Sequence, residues 1–509
     1  MSWRKSVITG ALLTVLSASV QASPADWVSP NVPLSSPFYE YIEKFDGMGY
    51  LESLPTGTKP YTRMQMAKWV EEIRTKSQEL PLPEYLAGSL KEMERDLEPE
   101  LNVLAGEKAD TGVGLKEVRL QAAYYDGAAF GYKGTKAGYQ PLNINNNGYR
   151  YGENGNFVAS AWLGGKLDNN LVAVVEPRFS YDEEQRGQAD ITSGYIKTRW
   201  NGTSIQIGKD PVFWGHGATG SLLLGNNMEP LTSVKISNLE PYKTRGFFRF
   251  LGEMNVTGLY SVLEDDRTDN TPHEVNSPSF FALRSDFTPQ KNFTFGLSFA
   301  SMLGGDGRAL AGGDYWDWLL GRNADAAGDK WNNIAGLDFK WRLPKWGGVQ
   351  LYGELYGEDQ ANYMPSRVAE RAGIVIPRLS RDGAWDMRIE YAHTTYAWYV
   401  HQLYTSGYIY KGNIIGDPMG TAATQYYIAI NRYLDNNSQV SFNLGRTDMG
   451  ENQNVQQQVN SVWVGYKKQL EKTMFLDMAV GLARLDNAGF VPGNKQTNHF
   501  ASAGLRWTY

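Results

Sequence analysis

Five consecutive residues combine flat aromatic side chains with short acidic ones: Asp314, Tyr315, Trp316, Asp317 and Trp318. Aromatic faces cover the C–H side of pyranose rings, and carboxylate and guanidinium groups hydrogen-bond to sugar hydroxyls. The stretch lies in a long connection rich in Gly and Asp, a type that is uncommon unless functional. It predicts a carbohydrate-binding loop with the candidates Trp316, Trp318, Tyr315, Asp314, Asp317 and Arg308. Packing of the loop is the alternative for the two tryptophans.

A second aromatic cluster follows about eighty residues later. Its members are Tyr396, Trp398, Tyr399, His401 and Tyr404, leading to Tyr408 and Tyr410. Sugar contact is one interpretation. Trp398 and Tyr399, however, lie inside a strand-like pattern. For these two residues the sequence favours an aromatic belt at the membrane interface.

Other chemistries find little support in the sequence. There is no cysteine, and the five histidines do not show metal-ligand spacing. Asp306, Asp314 and Asp317 lack the regular spacing of a calcium loop, so solvated loop acids are the favoured interpretation. No nucleophile elbow or phosphate-binding glycine loop is present in strand–helix context. We therefore predict no catalytic residues, no metal and no cofactor. The net charge of −6 argues against nucleic acid as a partner.

The chain begins with features of an export signal. Arg4 and Lys5 precede a short apolar run, and Val20-Gln21-Ala22 has the small-x-small form of a cleavage site. The run is shorter than the roughly 20 residues that a membrane helix needs. Residues 1–22 are therefore predicted to be a signal peptide.

Residues 23–107 show helical periodicity, with apolar side chains three and four apart. Thr62 with Gln65 forms a capping-box pattern. The segment 33–73 also resembles one S-layer-homology module, through Tyr41, Gly49-Tyr50-Leu51 and Thr62-Arg63. We predict three or four short helices in a periplasmic bundle. A bundle that seals or braces the rest of the protein is favoured over one that binds peptidoglycan or a periplasmic partner.

From about residue 108 to the end, the period changes to two. Apolar and polar residues alternate over roughly ten residues at a time, which is the pattern of a bilayer-spanning β-barrel. Counting such segments gives about eighteen antiparallel strands. Short turns alternate with long connections, which we place at 208–244, 304–332, 358–382 and 404–424. The polar faces carry both signs of charge, which fits either an open pore or a packed lumen.

The last strand carries a further signal. Ser502, Gly504, Trp507 and Tyr509 resemble the terminal insertion signal of bacterial outer-membrane barrels. This implies that the barrel assembly machinery is a partner and outer-membrane lipid the surroundings. A strand in that position would close the sheet and leave no unpaired edge in lipid. The alternative is an ordinary terminal strand of a soluble sandwich, which the long strands and the alternating connections disfavour.

Taken together, several loop segments resemble the Wzi family of capsule assembly proteins. The segments that carry the resemblance are GKDPVFWGHG from Gly208, GSL from Gly220, MEPL from Met228, GGDGR from Gly304, GEDQ from Gly357 with YMPS from Tyr363, and GY from Gly407 with GDPMG from Gly416. Segments 311–331 and 366–382 have no counterpart to quote.

The resemblance implies an eighteen-stranded barrel with a periplasmic helical bundle, in the outer membrane of a Gram-negative bacterium. It also implies a lectin-like role in attaching capsular polysaccharide or exopolysaccharide to the cell surface. A porin or small-molecule transporter remains the alternative, and an outer-membrane enzyme is a third, weaker one.

Overall fold

The protein forms a closed antiparallel β-barrel with a helical segment at one end. The computed structural model describes residues 27–107, 111–127, 130–131, 138–168, 170–267, 275–319, 330–361 and 364–509. Within these residues eighteen long strands close the barrel, as the sequence predicted. We number them β1 to β18 in chain order: Gly112–Asp126, Asn154–Asp168, Leu171–Asp182, Arg186–Trp200, Thr203–Lys209, Thr232–Asn238, Glu253–Val262, Ser279–Gln290, Phe293–Leu303, Trp331–Leu343, Val349–Ala361, Met364–Ile376, Trp385–Thr394, Ala423–Leu434, Ser438–Met449, Gln457–Glu471, Met474–Asp486 and Lys495–Thr508.

The terminal strand closes the sheet. Strand β18 pairs with β17 on one side and with β1 on the other, for example through Leu505, which lies opposite both Leu476 and Leu120. Arg506 points into the lumen and is buried, whereas Tyr509 is exposed on the outside. Strand β18 is therefore paired along both of its edges, as a lipid environment requires of a strand.

Alternation along the strands separates a lipid face from a lumen face. In β10, Leu337 and Trp341 are 41% and 48% exposed on the outside, whereas Asp338 between them is fully buried on the inside. The same alternation exposes Met478, Val480 and Leu482 of β17. An apolar outer surface and a polar inner one are what a barrel in lipid needs, and the sequence pattern predicted them.

The connections differ in length at the two ends of the barrel. At the end that holds both chain termini of the barrel they are mostly short turns, such as residues 201–202, 291–292 and 435–437. At the opposite end, the loop end, long segments such as 210–231, 304–330 and 395–422 join the strands.

Two of the predicted long connections contain a strand, so those two predictions were wrong. The segment 358–382 contains strand β12, Met364–Ile376, and the segment 208–244 contains β6, Thr232–Asn238. Strand β12 carries Arg367, Glu370 and Arg371, and no aromatic residue marks its lipid face. Its weak alternation explains why the sequence did not reveal it.

Four helices form the bundle at the short-turn end: α1 Phe38–Gly47, α2 Arg63–Ser77, α3 Glu84–Asp96 and α4 Glu98–Leu104. Helix α2 begins as predicted, because the Thr62 hydroxyl accepts a hydrogen bond from the Gln65 backbone N–H at 3.1 Å. The apolar faces of these helices meet in one core that includes Phe45, Met66, Val70 and Met93.

The bundle is attached to the barrel by polar contacts at the turns. Lys44 donates to the carbonyls of Pro377 and Gly383, and Ser89 donates to Asn437 at 2.8 Å. Among the described residues no helix is long and apolar enough to cross a membrane. The predicted signal peptide, residues 1–22, lies outside the described residues.

Candidate functional site

Two long connections at the loop end fold inward and fill the lumen. They are residues 210–231 and 395–422. Their buried side chains form one apolar cluster with lumen-facing residues of strands β7 to β17. Within it the rings of Tyr399 and Tyr408 stack at 5.3 Å, with planes 12° apart. We call these two segments the plug.

Charged residues on the lumen wall hold the plug in place. The Glu354 carboxylate accepts a hydrogen bond from the Leu222 backbone N–H at 2.9 Å, and Glu358 accepts one from that of Tyr399 at 2.6 Å. Carboxylates that bind backbone N–H groups satisfy donors that an inward-folded loop would otherwise leave unpaired.

Arg371 links both plug segments to the wall. Its guanidinium lies 2.6 Å from Glu390 and also bonds to Asp417 of the second plug segment. Glu390 in turn accepts a hydrogen bond from the Ala218 backbone N–H of the first plug segment at 2.6 Å. These charges on the polar strand faces therefore bind the plug or one another, and the question that the sequence left open is decided for a packed lumen.

The bundle reaches the plug inside the barrel. Between α1 and α2, Thr58–Lys59 pairs as a short strand with Phe213–Trp214 of the plug. Gly57 lies against Arg284 so closely that a Cβ there would be 2.4 Å from the guanidinium. Arg284 also pairs with Asp286 and Asp338. The lumen is thus filled from both ends, and the two fillings are joined.

The interpretation of Trp398 and Tyr399 as part of an aromatic belt is wrong. Both follow β13 in the plug and are almost completely buried, and the Tyr399 hydroxyl donates to the Leu222 carbonyl at 2.5 Å. Tyr404, Tyr408 and Tyr410 are buried as well, so these five residues offer no surface to a sugar or to lipid. The second cluster contains five tyrosines and one tryptophan, and of these Tyr396 alone is well exposed, at 67%.

The first aromatic cluster lies on a short helix, α5, Gly312–Leu319, where the sequence predicted an irregular loop. Tyr315 and Trp316 are 52% and 65% exposed. Trp318 instead packs edge-on against Phe281 at 5.3 Å, and its indole N–H donates to the Ser301 hydroxyl at 3.0 Å. Trp318 therefore anchors the helix to the outside of the barrel and leaves Tyr315 and Trp316 exposed.

The charged residues of the first cluster also differ in role: Asp314 supports the helix, whereas Arg308 and Asp317 are at least partly accessible. Asp314 accepts hydrogen bonds from the Ala311 backbone N–H and from Lys330, each at 2.7 Å. The Lys330 ammonium group and this N–H hold the pKa of Asp314 below its ordinary value. Asp314 thus stabilises the start of the helix. Arg308 is exposed and Asp317 is half-buried.

Sequence reasoning missed polar residues that join neighbouring loops at this end. Asn145 donates to the Ala218 carbonyl at 3.1 Å, and Glu229 lies 2.5 Å from Lys209 and 2.9 Å from Lys411. Burial opposes ionisation of Glu229, but the two ammonium groups hold its pKa below the ordinary value. The signal in the sequence that could have revealed this polar contact is the presence of four asparagines between residues 143 and 147. Within the described residues, no three histidine or acidic side chains gather as a metal site.

A closed barrel with an apolar belt, a filled lumen and a folded layer of loops defines a class: an outer-membrane barrel that is not an open pore. The chain belongs to the capsule assembly protein Wzi family, whose match covers residues 131–500. The protein is accordingly located in the outer membrane.

Two known proteins show the similarity in detail. One solved structure is that of Wzi, an outer-membrane protein involved in group 1 capsule assembly in Escherichia coli and a carbohydrate-binding β-barrel. It superposes with a TM-score of 0.71 at 19% identity and covers 94% of this chain and 100% of that chain. An uncharacterized 55.8 kDa protein in the cps region of Klebsiella pneumoniae is 29% identical over 203 residues, which is 39% of each chain.

Proposed function

We propose that this protein binds capsular polysaccharide or exopolysaccharide with its loop end and holds the polymer at the cell surface without catalysing a reaction. The observation that carries the proposal is the filled lumen. Because plug and bundle meet inside the barrel, the loops serve as a surface rather than as the rim of a passage. A porin would need the opposite arrangement.

The contact with polymer is assigned to helix α5. Tyr315 and Trp316 present two neighbouring aromatic faces to solvent, which suits stacking on pyranose rings. Asp317 follows them on the same helix and Arg308 is exposed in the segment before it, and carboxylate and guanidinium groups can hydrogen-bond to sugar hydroxyls. Asp314 and Trp318 have a supporting role, since they hold the helix in place.

The proposed orientation places the loop end outside the cell and the bundle in the periplasm. Both chain ends of the barrel lie at the short-turn end, as in other bacterial barrels. The contacts of the bundle with the barrel turns support a bracing role. Peptidoglycan contact is the alternative for its S-layer-homology-like part.

The test replaces Tyr315 and Trp316 together by Ala. Loss of two stacking faces, each contributing about 1 kcal/mol, should release a large share of the polymer from the cells. The measurement is cell-attached versus released polysaccharide at equal barrel levels. Trp346→Ala is the matched control, because Trp346 is 71% exposed at the opposite end of the barrel. Unchanged attachment in the double variant would contradict the assignment to α5.

The Trp316→Ala, Trp318→Ala pair tests the same loop with both tryptophans removed. It should lower attachment as well, but through two effects, because Trp318 also fixes the helix on Phe281. Comparing Trp316→Ala alone with this pair separates lost contact area from a displaced helix.

A further inference from the structure

A cavity of about 740 Å³ remains inside the barrel between the bundle and the wall. Its floor is formed by residues 34–44 at the start of α1, and its wall by β1, β2 and β13 to β18. On the loop side, Tyr151 donates to Gln121 at 3.3 Å, and Leu142 lies over Gly481. The volume falls within the roughly 300–1,000 Å³ typical of small-ligand sites.

The cavity is accessible to water. On its floor Glu40 binds the ammonium group of Lys467 through both carboxylate oxygens, at 2.7 and 2.8 Å. The two side chains are 49% and 41% exposed, although they lie between a helix and the barrel wall. A gap of this size is wide enough for solvent and hence for a small polar ligand.

An aromatic platform lines one side of the cavity. Trp463 stacks on Tyr427 at 5.7 Å, with planes 23° apart, and the Tyr427 hydroxyl donates to Asn443 at 2.7 Å. Gly465 and Gly504 line the same cavity and add no side chain to it.

Polar groups surround the platform. Gln439, Ser441 and Ser502 lie around it on the lumen wall. Within the described part of the chain, no hydrogen bond uses the indole N–H of Trp463 or the side-chain amide of Gln439. These donors are available to a ligand.

The charged side chains around the cavity argue against an anionic ligand. Five of the six cations that line the cavity have an acidic partner: Lys44 with Asp386, Arg119 with Glu117, Arg388 with Glu43, Lys467 with Glu40 and Arg506 with Glu92. The sixth, Lys468, is exposed, and the acidic Asp477 also lines the cavity. No surplus of positive charge remains to hold a phosphate or a uronic acid. Amide and hydroxyl groups across the wall argue equally against an acyl chain.

We propose that this cavity is a second carbohydrate site, which binds a neutral sugar of one to a few residues. The ring of the sugar stacks on Trp463, and its hydroxyls bond to Gln439, Ser441 and Asn443. The inference rests on the proposed function, since it assigns the same ligand class to a separate place. The plug prevents a polymer from passing through, so the site takes a chain end or a free short sugar.

The test uses the full-length protein in detergent and calorimetric titration with glucose, galactose, mannose and lactose, and with glucuronate for comparison. Ser441→Trp fills the cavity, whereas Phe442→Trp on the same strand points to lipid and serves as the control. Trp463→Leu removes the platform without filling the space. Heat-modifiable migration on gels verifies that each variant is folded.

The proposal predicts that at least one neutral sugar binds with a Kd below about 10 mM. It also predicts that Ser441→Trp and Trp463→Leu weaken binding at least tenfold, while Phe442→Trp leaves it unchanged. Absence of neutral-sugar binding, preference for glucuronate, or equal binding by Ser441→Trp and Phe442→Trp would overturn it. Polymer attachment that depends on Tyr315 and Trp316 would then still support the proposed function.

Discussion

At the scale of single residues, the charged lumen face is a set of anchors for inward-folded loops. Arg371 is nearly inaccessible to solvent and has two acidic partners, Glu390 and Asp417, on different elements. A buried charge is tolerated only when it is paired, and removing one partner leaves the others uncompensated. Arg371 therefore connects the wall to both plug segments, to the first through Thr219 and to the second through Asp417.

Replacing Arg371 by Met should destabilise the protein by about 3–5 kcal/mol, because Glu390 and Asp417 would remain buried without a cation. The same change at Arg446, whose pair with Asp448 is exposed, should cost less than about 1 kcal/mol. Urea unfolding in detergent measures both. Equal midpoints for the two variants would show that the Arg371 network does not hold the plug.

At the scale of elements, the terminal strand is the closing piece of the barrel. Trp507 lies opposite Val118 of β1 and Met474 of β17, so removing residues 507–509 opens the seam at its short-turn end. We expect the shortened protein to be degraded or to accumulate in the periplasm. Outer-membrane fractionation and heat modifiability report the outcome. Normal amounts of heat-modifiable barrel would contradict the role of this strand as an insertion signal.

The sidedness of the bundle can be tested with single cysteines, since the chain contains none. Gln78→Cys lies exposed at the end of α2, and Gly313→Cys lies in α5 with open space around its Cβ. A membrane-impermeant maleimide on intact cells should label residue 313 only. After lysis it should label both. Labelling of residue 78 in intact cells would overturn the periplasmic placement.

Local periodicity predicted the elements well where one face is strongly apolar. Strands such as β10 and β17 show their lipid face directly in the sequence, and the Thr62 cap marks a helix start. Periodicity cannot tell lipid from protein interior, because both are apolar. For that reason the buried Trp398 and Tyr399 resembled a membrane belt. The plug folds inward because it binds residues far away in the sequence, such as Glu358, which accepts a hydrogen bond from Tyr399. The sequence alone does not reveal such distant pairs.

At the scale of the whole molecule, the barrel is a sealed support. The bundle enters from the short-turn end, the plug from the loop end, and they meet where Thr58 and Lys59 pair with Trp214 and Phe213. This arrangement frees the outer loops to form a binding surface. It also connects the plug to the bundle at this short pairing inside the barrel.

A closed lumen, which makes the protein a surface platform, is tested most directly by conductance in planar lipid bilayers. Purified full-length protein should insert without producing large steady channels, because plug and bundle fill the path. Arg371→Met is expected to show intermittent openings as the plug loosens. Large, steady channels from the wild-type protein would show that the lumen is open and favour a porin.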